Sequence, residues 1–585
     1  MHYKYNGFIN VYKEAGWTSM DVCAKLKGIL GVRKIGHAGT LDPMAEGVLP
    51  VAVGRATKDI DFVGDGFKEY RAEMLLGVTT DTEDITGNVL GRYEGELPGE
   101  TEVRDAVMSF VGEYDQLTPM YSARKVNGKK LYEYARAGKE VERKTKHISI
   151  DSISIEKVML PKVTFTVRCS KGTYIRSLCR DIGEKLGCGA CMSALLRTRV
   201  GDFEIGEALR IAEISELAGS GTGGIDSILS IRHATAVTIG KFDGAHVGHQ
   251  ALIRELKKTA EALKLRTLVI ILKFGKPGVL TDAERKEKLY ELGVDYCIEL
   301  EFTPELMNMS AEDFLEKILI DRFCMKAIVG GKDISFGRGK AGNAEFLYAN
   351  ADKYGYTVDL IEKVKIEGES GRTSRTSEGD SAEVPADDAG RDISSTMLRS
   401  AIKNGDMQMA SELLGSSYSI SGVVVHGKGL AGSSRMNYPT MNIEVADELN
   451  VPPYGVYAVK AEIFESEGSK GAGTAAGGGG RGAGTGPGGC SAGSGGGDSV
   501  LTVSGIANLG ERPTVHGSVE GGTRLRLEVH AFGDIGDCYG KLMKVQFCSF
   551  IRPERKFDSI DELISQIFEK DIPACESYFS RHGES

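Results

Sequence analysis

The stretch TIGKFDGAHVGHQALI, residues 238–253, runs from the end of an apolar segment through a glycine-bearing turn into a helical pattern. ATAVTIG before it reads as a buried strand, and Leu252, Leu256, Ala260 and Leu263 after it fall on one helical stripe. Strand, glycine loop and helix in that order describe one unit of a parallel α/β sheet, and RTLVIIL and KAIVGG supply further apolar strands. The turn carries His246 and His249. A metal site needs further ligands at suitable spacing, and none is evident nearby. A buried histidine pair does not suit a glycine-rich loop that opens a helix. Phosphate does suit it, because backbone N–H groups and the helix dipole at such a terminus already favour an anion.

A chain of 585 residues is too long for one core and is expected to divide. Residues 466–498 are rich in Gly, Ser and Ala and almost free of large apolar groups, and residues 367–390 are polar and largely acidic. Both bury too little to offset chain entropy and read as flexible segments. With the shorter break AGSGTGG at 218–224, they suggest domains at 1–220, 230–405 and 415–580, the third with a disordered insertion at 466–498. No run is long and apolar enough to span a membrane, the start lacks a secretory signal, and the cysteines are scattered. A cytoplasmic protein with no membrane partner is expected. The net charge of −10 argues against a chain coated in nucleic acid, DNA included. Between Ser122 and Val200, however, eighteen Lys and Arg face seven Asp and Glu, enough to neutralise phosphates locally.

Upstream, GHAGTLDPMAEGVLPVAVGRATK at 36–58 sets His37 and Asp42 around a turn stiffened by Pro43. This passage resembles the bacterial TruB family, which forms pseudouridine in the T loop of tRNA, at position 55. So do KEYRAEMLLGVTTDTEDITG, QLTPMYSARKVNGKKLYEYARAG, RCSKGTYIRSLCRDIGEKLGCGA and LLRTRVG, in the family's order. The resemblance implies a mixed α/β fold that needs neither metal nor cofactor. It makes Asp42 the nucleophile, attacking through the ring or the sugar carbon, and Arg176 its ion-pair partner. Tyr70 would stack on the flipped uracil, with Tyr174, Leu195 and His37 around it. Two departures stand out: KEAGWTS replaces the family's KPxGxTS, and the next domain begins soon after residue 210, leaving no room for an extra RNA-binding domain. The CGAC at 188–191 has no second Cys or His pair at zinc spacing.

The central segment, with LTDAERKEKLYELGVDYCIELEFTPELMNMSAEDFLEKIL, IVGGKDISFGRGKAGN and DISSTMLRSAIKNGDMQMASELLG, is similar to the FMN adenylyltransferase half of bifunctional riboflavin kinase/FAD synthetase (RibF). The resemblance implies a Rossmann-like nucleotidyltransferase in which His246 and His249 form the HxGH signature. Ser394, Ser395, Thr396 and Arg399 would contact ATP phosphates, and Asp333 would lie by the nucleotide or flavin. The family's FxPHP is present only as FGKP, Phe274 to Pro277, without its histidine.

In the last segment Gly427, Gly429 and Gly432 make a GxGxxG after a strand, but a strand-like RMNYPTMNIEV follows instead of a helix, so a dinucleotide fold is excluded. YSISGVVVHG, YGVYAVKAEIF, VLTVSGIANLG, RLRLEVHAF and KLMKVQFCSFI read as short strands of a small antiparallel barrel, with a helix from SIDELISQIFEK. NYPTMN at 437–442 and these strands resemble the riboflavin kinase barrel, whose motif is GFPTAN. The resemblance implies Thr440 and Asn442 at Mg2+ and ATP phosphates, Gly427 and Gly429 at nucleotide, and Glu528 as general base. Glu528 lies on a strand, where an inward carboxylate is costly unless used. Together the resemblances imply an enzyme that isomerises uridine in tRNA and uses ATP to convert riboflavin to FMN and FMN to FAD. The alternative makes one half a tRNA- or flavin-binding module.

Overall fold

The computed structural model describes residues 4–122, 124–126, 128–139, 141–219, 224–366, 391–426, 440–464, 499–512, 524–533 and 535–583. The two low-complexity stretches, Gly427 and Gly429 lie outside these residues. Among the described residues the N-terminal part forms a nine-stranded mixed sheet. Its main path runs Gly7–Lys13, Glu46–Val53, Ala190–Val200, Lys68–Leu76, Lys162–Cys169, Thr145–Met159, Gly112–Leu117. Glu46–Val53 and Ala190–Val200 pair in parallel, and Gly47 sits at their closest approach. A Cβ there would lie 2.2 Å from the Arg197 carbonyl oxygen, and its φ of +104° is itself a glycine conformation. The helix Ser19–Leu30 opens with a Thr18–Asp21 capping box and buries Val22, Cys23, Leu26 and Leu30 against this sheet's core.

The central part is a five-stranded sheet, all parallel, in the order Tyr296–Glu301, Arg266–Lys273, Thr235–Gly240, Met325–Gly331, Thr357–Ile361. The helix Val247–Leu263 packs on it through Ile253, Leu256 and Ala260. Leu263, expected on the buried stripe, is 45% exposed. It stands in the last turn beside Lys264, whose left-handed conformation ends the helix.

The C-terminal part closes into a six-stranded barrel among the described residues, Ser419–Val425, Thr440–Glu444, Arg524–Ala531, Ser499–Arg512, Gly455–Phe464 and Leu542–Pro553. The helix Ile572–Arg581 covers part of its outer face through Cys575 and Phe579.

One apolar cluster runs from Phe8, Ile9 and Val11 through Leu229 and Ile231 to Leu268 and Ile298, so the first two sheets share packing. Polar contacts line this seam. Asn6 Nδ2 donates to Tyr290 Oη at 2.6 Å, Arg55 donates to the Val294 carbonyl at 2.6 Å, and buried Asp59 accepts from Arg266 and Tyr296. No described helix is long and apolar enough to cross a membrane.

Candidate functional site

Three separate constellations hold the sequence-derived residues. In the first, Asp42 sits on the turn between Ile35–His37 and Glu46–Val53. Ser19 Oγ fixes that turn from the helix side by accepting from Leu41 N at 2.9 Å, and Gly16 N donates to the Pro43 carbonyl at 2.8 Å. Arg176, in the first turn of the helix Ile175–Lys185, meets Asp42 in a two-pronged pair. Nε lies 2.9 Å from Oδ2 and Nη2 3.2 Å from Oδ1. The guanidinium, 5% exposed, also donates to the carbonyls of Thr82 and Tyr121 at 3.0 Å and approaches Asp84 at 3.4 Å. Burial pushes the Asp42 carboxyl above its usual range, and Asp84 adds to this, while Arg176 and Lys13 oppose it.

Tyr70, Leu195, Leu41 and Ala45 share one apolar cluster around this turn. Tyr70 stands opposite Arg197 on the neighbouring strand. Tyr174 caps the Arg176 helix, and Gln116 grips its backbone on both sides, accepting from N at 2.8 Å and donating to O at 3.0 Å. His37 Nδ1 is buried without a partner, and burial first, then Arg197, lowers its pKa. The structure thus gathers Asp42, Arg176, Tyr70 and Leu195 and places His37 and Tyr174 beside them.

Two supporting residues escaped the sequence reading. Lys13, fully buried, donates to the carbonyls of Ala45 at 2.6 Å and Pro43 at 3.2 Å, holding the turn from beneath. Burial lowers its pKa to about 8, which Asp42 opposes. Arg197, also fully buried, donates to the carbonyls of Val48 at 2.7 Å, Gly39 at 3.1 Å and Thr40 at 3.4 Å. Both lie inside quoted motifs, but only the fold shows a cation spent on backbone carbonyls. Arg197→Met leaves those carbonyls unsatisfied at about 1–3 kcal/mol each where they stay buried. A thermal midpoint several degrees lower and a large loss of pseudouridine formation are expected, with the flavin reactions intact at permissive temperature. Calorimetry alongside the assays checks this.

The Arg176 pair also has a pH consequence. Because Arg176 pulls the Asp42 pKa down, Arg176→Gln raises it further, and the acid limb of the rate profile moves to higher pH. Arg176→Lys keeps the charge but loses the fork, so it lowers the maximal rate while leaving the limb near its wild-type position. A pH–rate series on both variants separates the two effects.

In the second constellation, His246 caps the helix Val247–Leu263, its Nδ1 3.4 Å from His249 N. The two imidazoles stack with centroids 3.7 Å apart, and His246 Nε2 lies 3.3 Å from Ser395 Oγ. Burial lowers His246 to about 4, opposed by Asp243; burial, then His246, lowers His249. Ser394 caps a second helix, Ser395–Lys403, so two helix N-termini converge here. Gly244 is obligatory between them: its φ is +74°, and a Cβ would lie 2.6 Å from Leu398. A cavity of about 650 Å³ holds His246, His249, Ser394, Ser395 and Asp333. Asp333 is exposed and pairs with Lys363 at 3.2 Å. Thr396 and Arg399 face a larger adjoining cavity of about 1380 Å³, where Arg399 is held by Asp243 at 2.6 Å.

In the third, Asn442, Glu528 and Asn508 stand directly opposite one another on three adjacent barrel strands, so their side chains share a face. That face is not the interior. Leu527 and Val529, which flank Glu528, belong to the barrel core, so Glu528 points outward and is half-buried, correcting the inward expectation. Alternation along a strand separates two faces but does not say which faces the core. Asn442 Oδ1 is buried without a partner, and Thr440 begins its strand. An unpartnered buried carbonyl oxygen near a carboxylate-bearing position fits a hard cation with oxygen ligands. Asn508 was not foreseen. Cys188 and Cys191 are free and buried, and no group of three or more His, Cys, Asp or Glu among the described residues is placed to hold a metal ion.

Comparison with known proteins divides the chain into family segments. The TruB family pseudouridylate synthase N-terminal domain matches residues 27–175, and the tRNA pseudouridylate synthase B C-terminal domain matches 176–224. FAD synthetase matches 229–376 and riboflavin kinase 414–579. The tRNA pseudouridine synthase B of Alkaliphilus oremlandii is 52% identical over 212 residues, 36% of this chain and 71% of its own. That of Clostridium tetani is 51% identical over 211 residues, 36% of this chain and 73% of its own. A solved structure titled as a macrolide-efflux protein from Streptococcus pneumoniae aligns over 59% of this chain and 94% of that one, at 27% identity and a TM-score of 0.43. By the matched family segments and the two pseudouridine synthases, the N-terminal part of the chain belongs to the tRNA pseudouridine synthase B family, and an FAD synthetase domain and a riboflavin kinase domain follow it in the same polypeptide.

Proposed function

We propose that the three sites work as separate catalytic centres of one polypeptide, roughly within 1–220, 230–405 and 415–580, in the cytoplasm. In the first, Asp42 attacks a T-loop uridine, at position 55, that has left the RNA stack. Arg176 keeps the carboxylate ionised and aimed against the upward push of burial. Tyr70 and Leu195 form the apolar wall for the base, and His37 and Tyr174 lie at its margin. The glycosidic bond moves from N1 to C5, so no redox partner is required. The basic stretch between Ser122 and Val200 suits the RNA backbone.

At the second site the FMN phosphate attacks the α-phosphorus of ATP and pyrophosphate leaves. The two helix N-termini, His246, His249 and Ser395 receive the charge that develops there. Thr396 and Arg399, turned to the larger cavity, meet the phosphates from the other side, and Asp333 lies at the rim. At the third, Glu528 takes the proton of the riboflavin 5′-hydroxyl as it attacks the γ-phosphorus of ATP, and ADP leaves. Thr440 and Asn442 would hold Mg2+, with Gly427 and Gly429 toward the nucleotide. The ion would screen phosphate charge. One observation carries the reading: a forked Arg–Asp pair and a stacked histidine pair at a helix N-terminus occur in one chain, the first spanning the two adjoining pseudouridine synthase segments and the second inside the FAD synthetase segment.

The test uses the full chain. It should form pseudouridine in an unmodified tRNA transcript without added metal cofactor, and turn riboflavin, ATP and Mg2+ first into FMN and then FAD. FMN that accumulates without FAD refutes the second site; unmodified tRNA refutes the first.

A further inference from the structure

The loop Phe274–Pro277 lacks the histidine of the family pattern and is exposed along its length. It does not stand alone. Gly278 N donates to the Glu448 carbonyl at 2.8 Å, and Asn450 N donates to the Gly278 carbonyl at 2.7 Å. Asn450 Nδ2 donates to the Pro277 carbonyl at 2.6 Å. Gly278 and Leu449 thus make a parallel β-bridge between the adenylyltransferase part and the barrel part. The next residue, Val279, is fully buried in the barrel-side apolar cluster with Leu449 and Leu398. Its N–H donates to Asp243 Oδ1 at 2.6 Å, while Asp243 Oδ2 holds Arg399 at 2.6 Å. On the barrel side Tyr418 Oη donates to the Asn450 carbonyl at 2.9 Å, so the anchor is itself anchored.

The anchored loop carries Phe274, which lines both adjoining cavities and packs on Phe302 with centroids 4.5 Å apart. The larger cavity has one wall from the loop and Arg399 and another from Asp447, Glu448 and Asn450. The barrel therefore completes a cavity that opens beside the histidine pair.

We infer that Asn450, a residue of the kinase barrel, is a positioning residue for FMN adenylylation: it ties down the FGKP loop and sets Phe274 at the junction between the histidine-lined cavity, which would take ATP, and the larger barrel-walled cavity, which would take FMN. This rests on the adenylyltransferase reading above. An exposed loop without such ties samples many conformers, and each acceptor that binds must select one; the tie removes that cost. Asn450 touches no reacting atom, and its effect passes through Pro277 and Gly278.

The chain supplies its own control, because riboflavin phosphorylation runs in the same molecule. Asn450→Asp keeps the shape and loses the amide donor, and Asn450→Ala loses both. In each, the KM for FMN in FAD formation should rise about fivefold, the worth of one such hydrogen bond, with the KM for ATP and riboflavin phosphorylation unchanged. Asn450→Gln, which keeps the donor, should recover part of the loss. Unchanged FMN kinetics in both variants overturns the inference, and so does an equal fall of both reactions in the isosteric Asp variant. A wild-type chain that forms FMN but no FAD fails earlier and differently, since it removes the adenylyltransferase reading itself.

Discussion

Asp42→Ala abolishes pseudouridine formation, by about ten-thousandfold or more, while FMN and FAD formation by the same preparation stay at wild-type rates. The size follows from the role: nothing else among the described side chains at this turn offers a carboxylate to the base from the same position. Asp84 is the nearest rival, but it is buried, its Oδ1 accepts from Thr82, Thr86 and the Thr86 backbone, and its Oδ2 faces Arg176. Removing Asp42 does not unfold the turn, because Lys13, Ser19 and Arg197 hold its backbone without it. Mass spectrometry of a digested transcript reads the modified nucleoside, and the flavin products report folding of the rest. Pseudouridine formed at the wild-type rate by Asp42→Ala removes the nucleophile assignment. Asp42→Asn sharpens the test, since it keeps the shape and the Arg176 contact on one oxygen but cannot form the adduct.

The apolar strands were readable because a parallel sheet buried on both faces writes itself as uninterrupted runs. Thr235–Gly240, Arg266–Lys273 and Met325–Gly331 are of that kind. The outer strands Tyr296–Glu301 and Thr357–Ile361 carry charges and lie at the two ends of the sheet order, so their sequences do not stand out. The partner residues Asp42, Arg176, His246 and His249 were legible as family motifs, but their supports were not. Lys13 and Arg197 look like surface cations in sequence, and only their tertiary partners, six backbone carbonyls in all, reveal buried struts. Glu528 shows the opposite error. Its strand is covered on both sides, by the barrel core and in part by outer packing that includes Ile506, Cys575 and Phe579. Alternation therefore left its direction undetermined. Asn450 could not be anticipated at all, since its significance lies in a bridge to a residue far away in the chain.

His249→Ala or His246→Ala stops the chain at FMN: FAD formation falls about a hundredfold to a thousandfold, while riboflavin phosphorylation and pseudouridine formation are retained. Both imidazoles are neutral at pH 7, because burial holds His246 at about 4 and His249 also well below its usual value. Stacked at 3.7 Å, two imidazolium rings would repel, so at most one accepts a proton when triphosphate arrives. On the proposed reading that proton is recruited by the phosphates and lies where negative charge grows as pyrophosphate separates, so its worth should be realised mainly in the transition state. His246 is the better placed of the two to hand on this effect, since Ser395 Oγ at 3.3 Å links it to the second helix N-terminus. His246→Ala should accordingly raise the KM for ATP as well as lower kcat, whereas His249→Ala should act mostly on kcat. The altered FGKP loop makes the experiment decisive: with the family's loop histidine absent, the proposed reading leaves these two side chains to supply the imidazoles of the site among the described residues. FAD formed by either variant at an undiminished rate would show that the convergent helix termini suffice and that the histidine pair is structural.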